Sequence, residues 1–242
     1  MQTIAIANQK GGCGKTTTAI NLAAGLGKLD QRVLLIDMDP QGHASLGLGL
    51  NDQCQAGLYE VFSDEMSLDE VIQPGLVPGV DLVPANIALA AVEPMLTDQA
   101  GRERQLYEHT QALNNRYDYV LVDCPPSLGL LSINALRSAT SILTPLDAGL
   151  FALEGIQQLQ GLVKLLEEKY RLNLPIRAVL TMYDAHTRLA QTIRRHIEEE
   201  LPVQLSDVQI RATVRAPSGL LRQTAVRLCP ALHGGRRLPA PG

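Results

Sequence analysis

The chain has 242 residues, 45% of them hydrophobic, and a formal charge of −4, which allows one large α/β domain and lacks the global basic balance of many strong nucleic-acid binders. Its four cysteines (13, 54, 124 and 229) form no CxxC pair, which argues against a disulfide framework or a zinc site and fits reduced thiols in a cytosolic protein. No apolar run approaches the ~20 residues that cross a bilayer, and the chain opens on an alternating apolar strand instead of a leader, so a cytoplasmic protein is expected.

Short β-rich runs alternate with longer helical patterns, the signature of a mostly parallel central sheet flanked by helices. Residues 3–7 (TIAIA) predict the first strand and residues 16–28 the first helix, with Ile20, Leu22, Ala23 and Leu26 on its apolar side. The continuous apolar run at 32–37 (RVLLID) predicts a strand buried on both faces. Residues 42–60 read as a glycine-rich loop and a short helix, 80–83 as a strand, and 102–114 as a helix. A second strongly buried strand is predicted at 119–123 (YVLVD) and another at 141–145. A helix follows over 152–170, then a strand at 176–182 and an amphipathic helix at 185–200. Beyond about residue 206 neither period 2 nor period 3.6 persists, and a closing strand and helix cannot be picked out.

Between the first strand and the first helix lies Q-K-G-G-C-G-K-T-T, residues 9–17. A triphosphate needs several inward-pointing backbone amides, and Gly11, Gly12 and Gly14 let the chain turn tightly without side chains in the way. The helix start adds partial positive charge. Lys15 can reach the β- and γ-phosphates, and the Thr16 hydroxyl can hold Mg²⁺. This predicts a P-loop nucleotide-binding protein that acts as an ATPase. Position 9, where GxxxxGK[ST] requires glycine, holds Gln9, and an additional lysine, Lys10, stands inside the loop.

Acidic residues at strand ends are the first candidates for the metal and the attacking water, because strand ends line the ligand crevice of an open α/β sheet. Asp123 ends YVLVD and is expected beside magnesium. Asp37 and Asp39, in I-D-M-D-P-Q-G, end the other buried strand. Taken singly, each aspartate is also an ordinary turn residue.

At this point the residues resemble a known family. The loop is similar to the deviant Walker A motif of the ParA/Soj chromosome- and plasmid-partition ATPases, within the broader ParA/MinD group. Supporting matches are D-M-D-P-Q-G-H at 37–43, L-V-P-A-N-I-A-L at 82–89, D-C-P-P-S-L-G-L-L at 123–131, F-A-L-E-G at 151–155 and L-T-M-Y-D-A at 180–185. The resemblance implies ATP/ADP and Mg²⁺ as cofactors, held by the loop residues Lys10, Gly11, Gly12, Cys13, Gly14, Lys15, Thr16 and Thr17. Lys10 becomes the signature lysine that crosses a dimer interface to the partner subunit's phosphates. By the same resemblance Asp39 is expected to orient or activate water near the metal, and Asp123 to bind Mg²⁺ through water. The implied function is an ATP-dependent homodimer that binds double-stranded DNA without sequence specificity and is stimulated by a ParB-type partner. A MinD-like positioning ATPase on membranes, or a homologue without a working DNA cycle, are the alternatives.

The sequence departs from the family pattern at several places. Cys13 stands where the family usually has valine. His186 replaces the arginine of L-D-A-R-T, leaving Arg188, two positions on, as a DNA-binding candidate. Arg215, in I-R-A-T-V-R-A-P-S, is the second. Residues 1–205 are read as the ATPase domain and 206–242 as an atypical basic tail. The last 35 residues carry six arginines and no acid, so the rest of the chain sums to −10. A shifted reading frame, a phosphate-binding arm and a disordered tail all fit that composition.

Overall fold

The computed structural model describes residues 1–50, 56–113, 116–147, 149, 152–201 and 203–210. Cys54, Arg215, Cys229 and the segment 211–242 lie outside them.

In chain order the elements are β1 (Gln2–Ile6), α1 (Lys15–Gly27), β2 (Val33–Asp37), α2 (His43–Gly47), α3 (Leu58–Phe62), α4 (Leu68–Val71), β3 (Gln73–Val77) and β4 (Val80–Val83). They continue through α5 (Val92–Met95), α6 (Gln105–Gln111), β5 (Tyr119–Asp123), α7 (Leu130–Ser138), β6 (Ser141–Asp147), α8 (Ala152–Tyr170), β7 (Ile176–Thr181), α9 (Arg188–Glu200) and β8 (Gln204–Ile210). Among the described residues the strands form one sheet, ordered β3-β4-β2-β5-β1-β6-β7-β8. Every neighbouring pair is parallel except β3 with β4, an antiparallel edge hairpin. The expected parallel sheet with flanking helices is the observed architecture.

Alternation along the strands builds two cores. Leu34 and Ile36 of β2 face the layer containing α3 to α8, whereas Val33 and Leu35 face α1 and α2. β2 and β5 are buried at all five positions each, which is why both read as unbroken apolar runs. A third cluster packs α9 onto α8 through Ile193, Ile197, Ile156 and Leu180.

Several boundaries and elements differ from the expectation. The helix expected at 102–114 is a 3-10 turn (Arg102–Arg104) followed by α6, and β6 continues to Asp147. α9 begins at Arg188, because Asp184 and Thr187 build the turn before it, with the Thr187 hydroxyl accepting from the Ala190 amide. β3, α4, α5, α7 and β8 have no counterpart in the elements that the sequence predicts. β8 runs across the expected division between residues 205 and 206, its apolar positions packing on β7.

β1 sits where the topology reverses, with β5 on one side and β6 on the other. That is the switch point at which an open α/β sheet leaves a crevice beyond the carboxyl ends of its strands. In-register pairs line up Asp37 with Asp123, and Asp147 with Thr181, along that rim.

Candidate functional site

The loop of residues 7–14 leaves β1 into this crevice and enters α1. Gly14 is the residue preceding the helix and has φ of 89°, while Gly12 has φ of 74°; both need the left-handed conformation that glycine adopts without strain. A Cβ added at Gly11 or Gly12 would meet nothing within 4 Å, so these positions face open space. Asn8, buried beneath the loop, donates from its amide to the Pro145 carbonyl at 2.7 Å and accepts the Lys10 amide at 3.0 Å. Lys15 is buried, and its Nζ donates to the Lys10 carbonyl at 3.0 Å. Thr16 is half-buried and Thr17 exposed.

Lys10 itself turns to the β6 side, where its Nζ lies 2.6 Å from Oδ2 of Asp147. Gly149 and Gly155 leave room for this arrangement. A Cβ at Gly149 would stand 3.1 Å from the Lys10 Nζ, and one at Gly155 would stand 2.7 Å from the Asn8 side-chain oxygen. The Cys13 thiol is buried, donates to the Lys10 carbonyl at 3.2 Å, and is pushed up in pKa by burial. That holds it as an inert thiol.

Asp37 and Asp123 are both fully buried, yet they are differently served. Asp37 accepts from the Ser45 amide and hydroxyl, both at 2.8 Å, and from the Asp39 amide at 3.2 Å. It therefore fixes the turn that carries Asp39, whose own carboxylate accepts the Gln41 amide at 3.0 Å. Asp123 has no such backbone partners, and the donor acting on it is the Thr16 hydroxyl. Burial, and then the neighbouring Asp37, raise the Asp123 carboxyl to about pH 7, with nearby Thr16 and Lys15 opposing the shift.

A buried carboxylate with no backbone partner, beside a threonine hydroxyl and a phosphate cradle, fits a hydrated Mg²⁺. No group of three or more His, Cys, Asp or Glu side chains converges on a metal position among the described residues. Magnesium takes one or two protein ligands together with water and substrate phosphates.

The fold thus gathers the candidates Lys10, Gly11, Gly12, Cys13, Gly14, Lys15, Thr16, Thr17, Asp39 and Asp123 along one rim. Arg188 stands apart, exposed at the start of α9. Asn8, Asp147 and Thr181 also touch the loop and lie outside the candidate site residues that the sequence offers. Asp147 carries a usable signal, since it ends a buried strand as Asp123 does, but the apolar pattern predicts that strand only to Pro145.

Residues 1–176 match a protein-family model described as an AAA domain. The chain is 40% identical over 223 residues to the sporulation initiation inhibitor protein Soj of Bacillus subtilis (strain 168), spanning 89% of this chain and 87% of Soj. It is likewise 40% identical over 214 residues to the chromosome partitioning protein ParA of Myxococcus xanthus (strain DK1622), spanning 88% of this chain and 76% of that protein. Among solved structures, cobyrinic acid a,c-diamide synthase from Mycobacterium smegmatis with a bound ATP analogue and magnesium matches at a TM-score of 0.89 and 31% identity, covering 100% of both chains.

Proposed function

Because the chain belongs to the ParA/Soj family of partition ATPases, we propose that it is an ATP-hydrolysing DNA-partitioning switch of the cytoplasm and nucleoid. In this reading it dimerises on ATP, binds double-stranded DNA without sequence specificity, and is stimulated to hydrolyse by a ParB-type partner. The observation that carries it is the Asp123 carboxylate, buried without a backbone partner beside Lys15 and Thr16. The ATP analogue and magnesium in the M. smegmatis structure support the same ligands here. The higher identity to Soj and ParA favours partition over the amide-forming activity in that enzyme's name.

The glycine amides and the start of α1 hold the phosphates, and Lys15 exchanges the Lys10 carbonyl for phosphate oxygens. Thr16, Asp39 and Asp123 form the magnesium side; the ion, when bound, neutralises phosphate charge. Asp39, on a turn held by Asp37, orients the water. Lys10 leaves Asp147 for the phosphates of the partner subunit, so its charge is satisfied across the interface when both subunits carry ATP. Arg188 and the amino end of α9 offer positive potential to DNA phosphates, and Arg215 is a second candidate contact.

The test is DNA retention with ADP, ATP and a non-hydrolysable ATP analogue at two salt concentrations. Retention with ATP and the analogue, loss with ADP, and weakening at the higher salt are expected. Lys15→Ala abolishes the response. Equal retention with and without nucleotide overturns the switch.

A further inference from the structure

The phosphate loop is gripped from two adjacent strands that lie outside its own motif. Asp147 and Thr181 are register partners at the ends of β6 and β7. Asp147 holds the Lys10 ammonium near the start of the loop. Thr181, 3% exposed, donates its hydroxyl to the Cys13 carbonyl at 2.7 Å, a contact between residues 168 positions apart. The same side chain walls off Gly14, since a Cβ built there would stand 3.7 Å from the Thr181 methyl.

The contact has a directional consequence. In a trans peptide the C=O of one residue and the N–H of the next lie in one plane and point opposite ways. A Cys13 carbonyl held on β7 therefore turns the Gly14 amide away from β7. Gly14, at φ of 89° and without a Cβ, would itself offer little resistance to rotation of that peptide. The hydroxyl is well placed to supply the resistance, because Thr181 lies in a strand paired in register on both sides, with Asp147 and Ile210.

We propose that Thr181 is a positioning residue for nucleotide binding, its hydroxyl fixing the Cys13–Gly14 peptide so that the Gly14 amide faces the bound phosphates. The proposal rests on the nucleotide-binding reading above. It concerns affinity for ATP, so DNA binding does not enter its test.

The experiment is equilibrium binding of a fluorescent ATP analogue with Mg²⁺ to the full chain and to Thr181→Val and Thr181→Ser, below the melting temperature of each. Valine keeps the shape and removes the hydroxyl, whereas serine keeps the hydroxyl and removes the methyl. Loss of this bond weakens binding by about tenfold in Thr181→Val, and Thr181→Ser stays within about twofold of the unsubstituted chain. A packing role gives the reverse order, and that result, or normal binding by Thr181→Val, overturns the proposal alone. If valine perturbs the fold, Thr181→Ala against Thr181→Ser carries the comparison: a tenfold gap supports the assignment and equal affinities overturn it. An unsubstituted chain that binds no nucleotide overturns the nucleotide-binding reading and this proposal together.

Discussion

Asp37 and Asp123 stand side by side at the ends of β2 and β5, paired in register, both fully buried, and only Asp37 is hydrogen-bonded to the backbone. Asp37 gives its oxygens to Ser45 and to the backbone of the Asp39 turn. Asp123 takes no backbone donor and faces the Thr16 hydroxyl. A pair of like charges in a low-dielectric site, one committed to structure and one not, leaves the second available to a cation.

That asymmetry predicts a pH effect on the metal-free protein. The Asp123 carboxyl is raised to about 7 when folded, against ~3.9 for an unfolded aspartate. Its stabilising contribution is therefore fully present below the unfolded value and is lost as pH rises through about 7. Thermal melts in a chelator should show a lower melting temperature at pH 8 than at pH 6. Asp123→Asn should shrink that drop and melt higher than the parent at pH 8, by at least about 3 °C, the scale of 1 kcal/mol for a domain of this size. The same variant should lose magnesium-dependent ATP binding. A parent that melts at one temperature across this range contradicts the assignment.

The Lys10–Asp147 ion pair predicts an effect on dimerisation. The pair is partly exposed, with side chains 25% and 20% accessible, and such pairs are worth up to about 1 kcal/mol. Asp147→Asn weakens the hold on Lys10 within its own subunit, so the ATP concentration for half-dimerisation should fall by up to about fivefold. Light scattering during an ATP titration measures this. A midpoint that rises instead assigns Asp147 to the dimer rather than against it.

Gly27 predicts a stability effect opposite to helix propensity. It ends α1, and a Cβ there would meet the Pro78 carbonyl oxygen at 2.3 Å and the Val80 side chain at 3.3 Å. Gly79, at φ of 76°, closes the same contact from the β3–β4 hairpin. In an exposed helix, alanine would gain up to ~1 kcal/mol over glycine. Here overpacking should prevail, and Gly27→Ala is expected to lose about 1–3 kcal/mol in denaturant unfolding. A stabilised variant would show that the hairpin yields freely.

Asn134 ties three segments together. Buried in α7, it donates to the carbonyls of Arg102 and Leu130 and accepts the Leu106 amide. Asn134→Ala strands buried backbone groups and should cost about 1–3 kcal/mol. Nucleotide affinity should stay unchanged, since none of these atoms touches the phosphate loop. Unfolding and binding measured on the same preparation separate the two effects.

The phosphate loop, the two buried strands ending in Asp37 and Asp123, and the parallel α/β class were legible in the sequence because each is written in contiguous residues. Glycine spacing, apolar runs and strand-helix alternation are short-range patterns, and the chain folds them locally as read. α7 was not legible, because L-L-S-I-N-A-L-R-S is buried by its neighbours on several sides and shows no clean polar face. β8 straddles the place where the basic composition begins, and its pairing with β7 makes it a strand. Tertiary structure alone decided which residues meet the loop: Asn8 against Pro145, Lys10 against Asp147, Cys13 against Thr181. Those partners lie well over 100 positions apart and are selected by the order in which strands join the sheet. Local preference carries no record of that order, because it comes from burying both faces of the whole sheet at once.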